Sequence, residues 1–276
     1  MLIRQQASSA ELAGLARRLS DVRAISLLIV GLLLASPAMA AEIRLVNDAD
    51  LPEAQFAQLR KDFSAWAARV YRYNHVTDPL PATAVITRRA GFGAYVDDTI
   101  YIPPDSVGEM LETWVHELAH HATGHDSSFF LKEGIAVNTL EALFAEDHRI
   151  PDGWPQYGQR NDAWVSLFLQ RGLLPPLQQL IDMDGYDGSG HEGDFRSWQA
   201  YIIGGSFVGW LIRNESYDAF REVFRNQKLG PKTAEWERRW LDSIRQQKLP
   251  PFDPKDYLPK SARYQYFVRR VNEAAP

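Results

Sequence analysis

The chain has 276 residues, 45% of them hydrophobic and 24% charged, with no cysteine and a formal net charge of −5. That is enough apolar material for one sizeable core, and it excludes a disulfide framework or a thiolate metal site. The acidic balance, with no basic stripe or patch, excludes nucleic acid and an anionic lipid surface as partners.

Arg4, Arg17, Arg18 and Arg23 precede an apolar run over residues 25–35, which Pro37 and Ala38-Met39-Ala40 follow. A basic stretch, a hydrophobic segment shorter than the roughly 20 residues that span a bilayer, and a small-residue cleavage pattern predict an export signal over 1–40. Retention of that segment as an anchor is the alternative. Cleavage after Ala40 takes the 30 basic and 35 acidic residues to 26 and 33, a net charge of −7 on a mature chain of 236 residues. The expected location is periplasmic or secreted, with no stable membrane span after cleavage. Nothing in the sequence specifies an oligomeric state.

In the mature chain, Asp50-Leu51-Pro52-Glu53 reads as a helix start. Phe56, Leu59, Phe63, Trp66, Val70 and Tyr73 follow at alternating spacings of three and four, an apolar stripe suited to core packing. Pro79 and Pro81 end that pattern. Ala84-Val85-Ile86-Thr87 and Thr99-Ile100-Tyr101-Ile102 predict two short strands, with Gly91 and Gly93 in their connection. A small sheet therefore precedes the next helix, for which Ser106 and Glu109 form a capping box and whose pattern runs on to a stop near Gly124.

That helix carries His116-Glu117-Leu118-Ala119-His120. Four residues is a little over one helical turn, so His116 and His120 share a face on which both imidazoles can bind one zinc ion, with Glu117 beside them as a base for the bound water. A hydrolytic zinc site needs a third protein ligand and an open position. An HExxHxxGxxH spacing would need glycine at 123 and histidine at 126, where Thr123 and Asp126 stand, so His125 is out of register by one. Glu133 lies among Phe130, Leu131, Ile135 and Ala136 in a second helix, where a carboxylate is costly to bury unless paired or metal-bound. That favours Glu133 as the third ligand. His121 falls on the flank away from the metal, and Asn138 and Glu141 either steady a histidine from behind or face solvent.

The segment from His116 to Glu133, HELAHH followed by FLKEGIAV, resembles the peptidase MA-like gluzincins, the thermolysin and zinc-aminopeptidase clan. The likeness covers roughly residues 83–224, most closely in the two metal helices. It implies a zincin-like domain in which His116, His120 and Glu133 bind one zinc ion and Glu117 is the catalytic base. Tyr201 in Tyr201-Ile202-Ile203-Gly204 resembles the tyrosine at a helix start in the aminopeptidase branch, which implies a hydroxyl donor for the tetrahedral oxyanion. The likeness also implies that an edge strand within 93–102 pairs with extended substrate. Aminopeptidases of that clan carry a Gly-x-Met-Glu-Asn stretch that holds the substrate amine, whereas this chain reads Ala90-Gly91-Phe92-Gly93-Ala94-Tyr95. Endopeptidase or processing activity is therefore the expectation rather than aminopeptidase activity.

Further on, the pattern predicts a helix around 163–169 and a loop over 182–194 close to Tyr201. As a calcium loop that segment fails, because glycine is needed at 187 and glutamate at 193, where Asp187 and Gly193 stand. As a cleft cover it could offer His191 or Glu192 to substrate. Helices around 217–225 and 233–246 and a proline-rich aromatic tail from Pro250 complete the chain.

The expected architecture is α+β and mostly helical: a small mixed sheet, an active-site helix and a helical C-terminal subdomain that closes the cleft. The domains are read as a signal peptide over 1–40, a zincin-like peptidase domain over 41–230 and a helical extension over 231–276. The expected function is zinc-dependent hydrolysis of a peptide or protein substrate. Two alternatives are a catalytically inactive zincin-fold binding or assembly factor, which an intact Glu117 disfavours, and a structural zinc protein, which a three-ligand set disfavours.

Overall fold

The structure, a computed structural model, describes residues 43–77, 81–90, 93–104, 110–124, 127–226 and 230–274. The expected export signal, the capping box at Ser106 and Glu109, and His125 with Asp126 lie outside them.

Strand β1 (Ile43–Asn47) leads into helix α1 (Glu53–Tyr73), which returns the chain to β2 (Ala82–Ile86). Strands β3 (Ala94–Val96) and β4 (Thr99–Ile102) form a hairpin, and the sheet order is β1-β2-β4-β3. The first three in that order run parallel, and β3 lies antiparallel to β4 at one edge. The hairpin turns on Asp97 and Asp98, at φ 47° and 56°. Both sit in the left-handed region that a tight two-residue turn requires, and aspartate tolerates it better than most residues. Ala82, Ala84, Ile86, Ile100 and Ile102 alternate inward to one buried face, as period-2 packing demands. The two strands expected from sequence are β2 and β4; β1 and β3 are only five and three residues long, and neither buries a residue fully. Thr87 falls just past β2, where its backbone N–H bonds the Ile102 carbonyl at 3.0 Å.

Two helices follow, α2 (Met110–Thr123) and α3 (Phe129–Glu146). The first ends at Gly124, whose φ of +83° suits glycine alone among common residues. It buries Trp114, Val115, Leu118 and Ala119 completely, with Trp114 stacked on Phe63 of α1 at 4.4 Å. Helix α3 is capped by Ser128, whose hydroxyl accepts from the Leu131 N–H. The remaining helices are α4 (Asn161–Gln170), α5 (Leu177–Ile181), α6 (Gly190–Asn214), α7 (Tyr217–Asn226), α8 (Thr233–Gln246) and α9 (Ala262–Glu273).

The buried side chains form two clusters. One joins α1, the sheet and α2; the other joins α4 to α9, and α3 contributes to both. Phe130, Leu131 and Ile135 face the helical cluster, while Ala136, Leu140, Leu143 and Phe144 face the sheet cluster. This explains why α3 is apolar around nearly its whole circumference: a helix serving as a shared wall has no solvent face. Helices α8 and α9 add Trp236, Trp240, Phe267 and Val271 to the same cluster as α6, so residues 231–274 belong to its core rather than building one of their own.

Helices α3 and α6 cross in close contact at Gly134 and Gly204. A Cβ on Gly134 would lie 2.8 Å from the Gly204 carbonyl, and one on Gly204 would lie 2.8 Å from the Phe130 carbonyl oxygen. Only glycine at both positions permits this approach. Tyr201 lies inside α6, three residues before Gly204, rather than at a helix start, and the helix begins at Gly190 instead of beyond an extended loop. His191 and Glu192 consequently occupy its first turn. They engage α9, where His191 stacks on Tyr266 and Glu192 pairs with Arg270 at 3.2 Å.

Candidate metal centre and cleft

Helical periodicity brings His116 and His120 one turn apart on α2, and α3 crosses so that Glu133 completes a triangle. His116 Nε2, His120 Nε2 and Glu133 Oε2 lie 3.1 Å from one another on all three sides. Among the described residues this is the only group of three or more histidine, cysteine or acidic side chains with ligand atoms clustered for a metal ion. His120 and Glu133 are buried and His116 is nearly so. Burial opposes the Glu133 charge, yet the fields and hydrogen bonds of His120 and His116 outweigh it and hold the carboxyl well below the usual carboxylate range. Burial likewise opposes a charged His116, but the hydrogen bond to Glu133 and the carboxylates of Glu117 and Glu133 raise its pKa.

The donor set fits zinc. Three donor atoms 3.1 Å apart would each reach a common ion at about the 2.0–2.1 Å usual for zinc with nitrogen and oxygen ligands. Two imidazole nitrogens facing each other at 3.1 Å can share at most a proton, whereas a divalent cation engages both together with the carboxylate.

Glu117 points from the same helix into a cleft of about 690 Å³, which Gly93, Thr113 and His116 also line. A Cβ at Gly93 would overlap Thr113 Cγ2 at 1.9 Å, so the backbone leading into β3 runs directly along α2. Strand β4 is paired on both sides, which leaves β3 as the sheet edge next to the cleft. Tyr201 and Trp154 also line the cleft. The Tyr201 ring stacks on His116 at 6.0 Å and meets Phe129 and Trp154 edge-on, both at 5.5 Å. Burial raises the Tyr201 pKa well above its ordinary value, and the nearby charges of Glu133 and Glu117 and a hydrogen bond to Glu133 add to the effect.

Other residues flagged from sequence lie elsewhere. The His121 ring turns away to meet the Tyr71 hydroxyl at 3.0 Å. Asn138 donates to the Tyr73 hydroxyl at 2.7 Å, and Glu141 accepts from the Asn161 N–H at 3.1 Å, so both serve packing between helices.

Sequence reasoning missed Glu112. Its carboxylate accepts from the backbone N–H groups of Asp152 and Gly153 at 2.9 and 2.8 Å, which fixes the loop carrying Trp154 to the cleft wall. Its spacing of four before His116 was the available signal, since it puts both on one helix face. Tyr186, Arg263 and Tyr264 also line the cleft, brought there from distant sequence by tertiary packing alone.

Compared with protein-family models, with curated proteins and with solved structures, the chain shows no significant match. Among the described residues, no helix is long and apolar enough to cross a membrane.

Proposed function

We propose that this protein is a zinc-dependent peptide hydrolase of the zincin type, exported to the periplasm or the exterior. The observation that carries the reading is the 3.1 Å triangle of His116, His120 and Glu133, whose His116 lines a cleft that Glu117 and Tyr201 also line. Zinc held there supplies a Lewis acid and lowers the pKa of water towards neutrality. Glu117 takes a proton from the attacking water and passes it to the leaving amine, the work of a general base that becomes a general acid. The Tyr201 hydroxyl donates to the oxygen on which negative charge develops. As the sheet edge beside the cleft, β3 is the strand along which an extended peptide would lie, with the Trp154 and Tyr201 rings lining the same cleft. Because 90–95 holds no carboxylate for a substrate amine, cleavage within a chain or at a processing site is favoured over removal of single N-terminal residues.

The test is metal analysis together with turnover. Purified protein is expected to hold about one zinc per chain, lost on His116→Ala or Glu133→Ala. Glu117→Gln is expected to retain zinc and lose peptide cleavage. Full zinc occupancy in Glu133→Ala would remove Glu133 from the ligand set.

A further inference from the structure

We propose that Arg263 of α9 is a specificity residue that receives a carboxylate of the peptide substrate within about three residues of the bond cut. The inference rests on the hydrolase reading above and adds the chemical class of its substrate.

Arg263 lines the same cleft as His116 and Glu117, although it lies nearly 150 residues further along the chain. Two rings, those of Tyr201 and Trp154, connect it to the metal ligands: the guanidinium lies 5.2 Å from the Trp154 ring, which meets Tyr201 at 5.5 Å. A compact cleft of about 690 Å³ measures roughly 11 Å across, the length of about three extended residues.

The guanidinium is held in place without being saturated. The faces of Trp154, Tyr264 and Phe267, at 5.2, 5.5 and 5.9 Å, fix its plane by cation–π attraction. Nη2 donates to the Tyr186 hydroxyl at 2.7 Å, and the same hydroxyl donates to Asp194. Nε lies 3.3 Å from Asp194 Oδ2, an ion-pair contact without hydrogen-bond geometry. Neither contact uses Nη1. Asp194 is not part of the cleft lining, so its charge stands outside the space a substrate would fill while Arg263, with its side chain 34% exposed, faces that space. A planar cation oriented by aromatic faces and by a carboxylate on its Nε side, with Nη1 outside both contacts, is preorganised for an incoming carboxylate, and its ordering cost has been met before substrate arrives.

The carboxylate can belong to an acidic side chain or to the peptide C-terminus. A mixed peptide library is prepared in matched forms, with glutamate or glutamine at each position and with a free or amidated C-terminus. It is digested with zinc-loaded protein and read by mass spectrometry. Matched acid and amide peptides chosen from the cleaved set then give kcat/KM. The expected result is an acid-to-amide ratio of about ten to a hundred, expressed in KM, from loss of a charge-assisted hydrogen bond. Preference at an internal glutamate identifies the side chain; preference at the free terminus identifies the C-terminal carboxylate. In Arg263→Gln that ratio falls towards one, and in Arg263→Lys part of it survives. A purely structural role would lower both rates and leave the ratio untouched. Cleavage of acid and amide peptides at equal rates by the natural protein overturns this inference while leaving hydrolysis intact. No cleavage of any peptide by zinc-loaded protein removes both.

Discussion

Replacing Gly134 by alanine tests whether the contact between α3 and α6 assembles the site. Two effects oppose each other. Alanine favours a helix interior by about 0.8–1.0 kcal/mol over glycine. Against this, its Cβ would stand 2.8 Å from the carbonyl carbon and oxygen of Gly204, where carbon contacts settle at about 3.5–4.0 Å. The obstacle is backbone rather than a flexible side chain, so the helices must separate by roughly 0.7–1 Å. Overpacking of that kind costs about 1–3 kcal/mol or more, and because both helices are buried at this point the upper part of the range applies. The expected net loss is about 1–2 kcal/mol. Urea unfolding followed by tryptophan fluorescence measures it, and Gly134→Ala with Gly204→Ala should lose less than the sum of the single changes because each forces the same separation of the two helices. The displaced helix carries Tyr201, so kcat should fall while zinc content holds, since His116, His120 and Glu133 all lie on α2 and α3. A Gly134→Ala protein as stable as the natural one would show that the helices are not pressed together and would sink the account of how Tyr201 reaches the centre.

Tyr201→Phe keeps the ring against His116 and Trp154 and removes only the hydroxyl. It is expected to lower kcat by about 10²–10³ with zinc content unchanged, and an unaltered rate would strike Tyr201 from the chemistry. Glu141 gives a stability prediction. Burial raises its pKa to about 7, partly offset by the Asn161 N–H. A carboxyl whose folded pKa exceeds its unfolded value near 4.5 binds more protons when folded, so its contribution is fully present below pH 4.5 and is lost as pH climbs towards 7. The shift caps the loss at about 3 kcal/mol, and because Glu141 is only half-buried about 1–2 kcal/mol is expected. Glu141→Gln retains an acceptor for Asn161 and should raise Tm at pH 8 but not at pH 4.5; equal shifts at both pH values would contradict the assignment.

The local parts of the molecule were legible because their signals are local. The stripe from Phe56 to Val70, the spacing of His116 and His120, and the stop at Gly124 each follow from helical geometry over a few residues. Glu133 was legible for another reason, as a charge set in an apolar run. The short strands β1 and β3 were not, since strands of five and three residues with half-buried faces carry little alternation. The extended loop expected over 182–194 proved to include the first turn of α6, because Gly190 and Gly193 suggested a break where Gly193 in fact lies buried inside the helix. Trp154, Tyr186 and Arg263 were invisible for a deeper reason: their meeting depends on how α6 and α9 stack, and no spacing along the chain encodes it.

The shared position of α3 divides responsibility for the centre. The histidines rest on the sheet side, the tyrosine rests on the helical side, and the one carboxylate that touches both belongs to the partition between them. On the proposed reading, any shift of the two halves about that partition would spare the seat of the cation and instead retune how strongly the tyrosine meets developing negative charge. If that reading holds, rate would change before metal retention did, and turnover would be the earlier gauge of movement.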